Sequence, residues 1–70
     1  MEWQPVHGST RVVAIAYAAE DACIYVEFPS GKRHAYEGCS QTVWEEFSDP
    51  STSKGSYIHT NLNFHPHHPA

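Results

Sequence analysis

The stretch Ala22 to Phe28 most constrains the fold. Ile24, Val26 and Phe28 alternate there with Cys23, Tyr25 and Glu27. Only an extended strand with one buried face gathers such alternation into a single apolar side. Pro29-Ser30-Gly31 follows and matches a three-residue hairpin loop with glycine in the left-handed position. That loop returns the chain antiparallel through Lys32 to Tyr36, setting Lys32, His34 and Tyr36 on one face and Arg33 and Ala35 on the other. Upstream, the apolar, β-branched run Arg11 to Tyr17 predicts another strand, closed by the charged turn Ala18 to Asp21. Three strands in sequence make a meander. Met1 to Gly8, which holds Pro5, reads as an opening segment outside it.

After Cys39 the period changes from two to 3.6. Ser40 can cap a helix in which Val43, Trp44 and Phe47 share a face while Glu45 and Glu46 point outward. Thr42 and Glu45 offer an alternative capping box. Ser48-Asp49-Pro50-Ser51 ends this helix. A second starts between Ser51 and Ser53, with Tyr57, Ile58, Asn61 and Leu62 at helical spacing, and Pro66 stops it. The expected fold class is therefore α+β: a three-stranded antiparallel meander followed by two short helices packed on one face. Residues 1–64 form one domain in this reading, and residues 65–70 a flexible His/Pro tail.

Seventy residues allow only about 60% of the unfolded surface to be buried. Two Trp, four Tyr and three Phe supply large burial per side chain, which suits a small core. No apolar run approaches a membrane span and the first residues do not form a signal peptide, so the expectation is a cytoplasmic protein with no membrane role. Net charge is −4, with Arg11, Lys32, Arg33 and Lys54 the only cations. A polyanion would be repelled by the whole and must rely on a local patch. Cys23 and Cys39 form no metal-type pair; reduced, partly buried thiols are expected, with a disulfide open on spacing alone.

The order of these pieces resembles the KTSC domain, a short bacterial and phage module also found at the C-terminus of some lysyl-tRNA synthetases. The resemblance runs from about Val6 to Leu62. It rests on Gly8-Ser9-Thr10-Arg11-Val12, a strand ending in Tyr17, Ile24-Tyr25-Val26-Glu27-Phe28, Gly31, His34 with Tyr36, Val43-Trp44-Glu45-Glu46-Phe47, and Ser53-Lys54-Gly55-Ser56-Tyr57. The family's central Tyr-x-Tyr stands here as His34-Ala35-Tyr36, its Val-Pro before the first helix as Gly38-Cys39, and its late basic residues as Asn63 and Phe64. The resemblance implies a domain for which RNA binding has been suggested; losing the late basic residues weakens that implication here.

No catalytic constellation is legible: no nucleophile elbow, no His-Glu-x-x-His, no long phosphate loop. Glu45 and Glu46 diverge by about 100° on a helix and cannot flank one substrate. The expectation is a small non-enzymatic binding module without cofactor. The alternative is a protein-interaction or self-associating module. His65, His67 and His68, with His59 behind them, read as a solvated tail rather than a metal site. His34 and Tyr36 can offer stacking surfaces to a base; the plainer reading packs Tyr36 under the first helix and leaves His34 at the sheet edge. Ser9-Thr10 and Ser53 read either as buried hydroxyls joining the opening segment to the second helix or as phosphate donors.

The expected ligand site is the start of the second helix, at Ser53, Lys54, Gly55 and Ser56, with Arg11 or Arg33 close by and Tyr36 or Tyr57 stacking. Open N–H groups, the helix dipole and one of the few cations coincide there, suiting RNA or a small phosphate-bearing ligand. The plainer reading is a helix cap beside a solvated lysine.

Overall fold

The computed structural model describes residues 1–70 as β1 (Trp3–Pro5), β2 (Ala14–Ala18), β3 (Cys23–Glu27), β4 (Arg33–Tyr36), α1 (Gln41–Ser48), α2 (Lys54–Thr60), a 3-10 turn (Leu62–Phe64) and β5 (His67–Pro69). The α+β class is as expected, but the sheet has five antiparallel strands in the order β1-β2-β3-β4-β5, not three. Both additions are edge strands from segments read as an opening and a tail. Their prolines, Pro5 and Pro69, argue against a central strand but not against an edge, where no inner ladder needs the missing N–H.

The alternation in β3 has the predicted consequence. Ile15 pairs with Val26 and Tyr17 with Ile24 across β2; Ile24 faces Tyr36 and Val26 faces His34 across β4. One sheet face therefore carries Ile15, Ile24, Val26 and Tyr36, and it packs with Val12, Cys39, Phe47, Ile58 and Leu62 into a single core. The two helices cover that face. On the other face Trp3, Ala16, Tyr25, Ala35 and His68 lie in one row across all five strands.

The β3–β4 loop is the expected one, with Gly31 at φ 87° and Gly31 N–H donating to Phe28 O at 2.9 Å. The first expected strand starts later than its apolar run: Ser9 Oγ accepts from the N–H groups of Arg11 and Val12, each at 3.2 Å, and holds a turn there. Ser40, not the Thr42 box, caps α1, its Oγ accepting from Val43 N–H at 3.3 Å. Ser53 caps α2, accepting from Ser56 N–H at 3.5 Å. Phe47 is wholly buried. Trp44 is half-buried and stacks on Tyr17 at 5.4 Å, whose hydroxyl donates to Cys39 O at 2.7 Å. The thiols of Cys23 and Cys39 are free and buried. No helix is long and apolar enough to cross a membrane.

Candidate functional site

The turn before β2 and the connection between α1 and α2 enclose an open groove of about 790 Å³. Its walls are polar for a local reason. Gly8 at φ 78° and the Ser9 cap bend the chain, turning Thr10 and Arg11 outward, both exposed. Opposite, Asp49 ends α1 and its carboxylate accepts from Ser51 N–H at 2.8 Å and Ser51 Oγ–H at 2.6 Å. Those bonds hold the Asp49 carboxyl below the usual carboxylate range and shape the loop that leads into α2. Two of the chain's four basic side chains, Arg11 and Lys54, line the groove, and none of its eight carboxylates does. In an acidic chain this is a local inversion of sign.

Lys54 is not the solvated neighbour of a cap. It is 7% exposed, and its ammonium donates to Asp49 O at 2.8 Å and Thr52 O at 3.1 Å. Burial lowers the ammonium's hold on its proton, and the Asp49 carboxylate offsets this in part. The side chain thus satisfies the carbonyl at the C-cap of α1 and one in the loop that leads into α2. Its charge stays behind the groove wall and adds to the field there, but it is not a free donor.

The free donor is Arg11. An ideal Cβ on Gly55 would lie 2.6 Å from Arg11 Cδ and 3.4 Å from its Nη1, so the arginine side chain lies directly across the glycine. This contact joins the opening segment to α2. The expected bridge of buried hydroxyls does not: Ser9 caps its own turn, and exposed Ser53 caps its own helix.

The remaining expected site residues lie elsewhere. Arg33 pairs with Glu27 at 2.9 Å and sits 4.5 Å over the Trp3 ring on the uncovered sheet face. Tyr57 donates to Glu46 Oε1 at 2.8 Å and packs on Phe47 at 5.5 Å. Tyr36 is buried, and His34 beside it is half-buried but not at the sheet edge where the plainer reading put it, because β5 pairs along β4. Both contact His67 of β5, at ring separations of 5.4 Å and 4.9 Å. Thr10, one of the hydroxyls the sequence offered as a phosphate donor, is on the groove wall, as is His7, which carried no pattern that marked it in advance. Gly55 did carry one: a glycine inside a helix is unfavourable relative to alanine unless something lies against it.

A solved structure, the crystal structure of a KTSC domain protein from Yersinia pestis, is similar to this chain at TM-score 0.87 and 20% identity, over 99% of this chain and 96% of that one. At that identity the likeness concerns the fold. No curated protein matches the chain. The family model for the KTSC domain matches residues 8–63, which hold Arg11, Gly55 and the whole α1–α2 connection. The chain belongs to the KTSC domain family.

Proposed function

We propose that this chain is a non-enzymatic binding module that holds RNA or another phosphate-bearing ligand in the groove between Arg11 and the start of α2. The observation that carries the reading is the groove's charge: Arg11 lines it as a free cation, the Lys54 ammonium lies buried behind its wall, and no carboxylate lines it, in a chain of net charge −4. The suggestion of RNA binding attached to the family points the same way. Four of the seven groove hydroxyls support binding over catalysis, because they are engaged in holding the local structure. Ser9 and Ser53 cap turns and helix, Ser51 bonds Asp49, and Thr52 donates to Glu46 O at 2.7 Å. None of them hydrogen-bonds a histidine that would activate it as a nucleophile.

One charge-assisted hydrogen bond from Arg11 is worth about 1.5–3 kcal/mol. Alone that is weaker than about millimolar, so affinity requires contacts along the groove. Titrating inorganic phosphate and a short single-stranded RNA while following amide shifts tests the site. Ser9 to Arg11 and Ser53 to Ser56 should shift together, and Arg11→Ala should abolish the response. Shifts confined to His65 to Ala70 would contradict it.

The uncovered sheet face favours a second reading, protein interaction. There the half-buried rings of Trp3 and Tyr25 lie 6.5 Å apart with no helix above them. A dimer that persists in high salt, with no RNA binding, would support that reading instead.

A further inference from the structure

Strand β5 rests on β4 through an unusual contact: His34 Nε2 and His67 Nδ1 approach to 2.7 Å. The two rings and Tyr36 form a mutually packed trio, with His34 5.2 Å from Tyr36. His67 is the register partner of Tyr36, and its ring covers the aromatic pair that β4 would otherwise present at the sheet edge. The backbone adds Glu37 N–H to Pro66 O at 2.8 Å and Ala70 N–H to Arg33 O at 3.0 Å.

We propose that β5 is a proton-sensitive strap, held closed over β4 and Tyr36 by the His34–His67 contact and released when both rings are protonated. A neutral pair makes this bond with one nitrogen donating and the other accepting. A pair with one extra proton keeps it, because that proton can sit on an outward nitrogen. Two imidazolium rings set N–H against N–H at 2.7 Å and cannot keep it. Nothing nearby compensates a second charge. His34 faces His67, Tyr36 and the apolar Val26, and neither ring makes an ion pair with a carboxylate.

Lys32, exposed and two residues before His34, lines the same pocket as His34 and adds like charge, and His65 Nδ1 lies 3.0 Å from Glu37 O where the strap begins. The opposite sheet face holds the other charges of this edge. There His68 Nδ1 lies 3.0 Å from Glu37 Oε2, both half-exposed, and Arg33 is paired with Glu27. The His68 contact gains when its ring is protonated, but it is solvent-screened and weak. It opposes release without cancelling it. Burial, then His67 and His68, lower the hold of His34 on a proton below its ordinary 6.5. The released strand binds protons more readily, so acidification through and below that value favours release. Release bares the outer edge of β4, whose free N–H and C=O groups suit pairing with another strand, together with one face of Tyr36.

Amide exchange on the intact chain between pH 7.5 and 5.0, expressed as protection factors, tests the strap. Protection of Glu37 N–H should fall about tenfold for each unit by which the His34 pKa differs between closed and released states, while Val26 N–H stays protected. His67→Ala should give low Glu37 protection at both pH values, with native Trp44 fluorescence reporting an intact core. His68→Ala should keep the pH response. Constant protection of Glu37 across the range, or an undiminished pH response in His67→Ala, would overturn the proposal.

Discussion

Lys54 shows how one side chain can be structural where its sequence neighbours suggest a ligand. Its ammonium satisfies Asp49 O and Thr52 O at a 7% exposed position. Lys54→Ala leaves two carbonyls without a donor and should cost about 1–3 kcal/mol in urea unfolding. An unchanged midpoint would show that the ammonium is dispensable. Gly55→Ala should act oppositely. Alanine favours a helix over glycine by about 1 kcal/mol, and the clash is with the movable Arg11 side chain rather than backbone. The variant should fold as well as the parent yet bind phosphate more weakly, measured by titration calorimetry. Tyr57 adds a pH dependence: burial first, then its bond to Glu46, push the hydroxyl from 10.0 up to about 12. Between those values the unfolded chain has lost a proton that the folded chain keeps, so stability falls as pH rises through the window. Tyr57→Phe should flatten that alkaline loss in pH-dependent melts.

The elements divide by how local their signals are. β3, its Gly31 loop and the Ser40 and Ser53 caps rest on residues within four positions of each other, and they form as their residues dictate. β1 and β5 depend on partners far along the chain: Trp3 finds Ala16 and His67 finds Tyr36. No local pattern marks a three-residue edge strand containing proline. The same distance hid the role of Arg11, since its contact with Gly55 exists only after α2 docks. The β2–β3 turn carries a strain that sequence could not show. Ala22 sits at φ 51°, held there because its carbonyl accepts from Cys39 N–H at 2.7 Å. A left-handed alanine costs about 1–2 kcal/mol. Ala22→Gly should therefore raise the thermal midpoint, and a lowered midpoint would contradict the strain.

At the scale of the whole molecule, small size and negative charge set what binding can look like. The sheet and two short helices enclose one core, which leaves the groove, the uncovered sheet face and the strand edges as the surfaces a partner can reach. A net charge of −4 repels polyanions at long range, so a ligand held as proposed is attracted by the groove alone, and that attraction is screened by salt. Arg11 and Arg33 separate the two effects, because one lies in the groove and the other is ion-paired elsewhere. The most direct measurement is the affinity for a short single-stranded RNA across a salt series, for the parent, Arg11→Ala and Arg33→Ala. Loss of one phosphate contact should weaken binding and reduce the slope of log affinity against log salt by about 1. The expected result is that loss for Arg11→Ala and parent-like behaviour for Arg33→Ala. Equal effects from both variants, or binding that ignores salt, would contradict it.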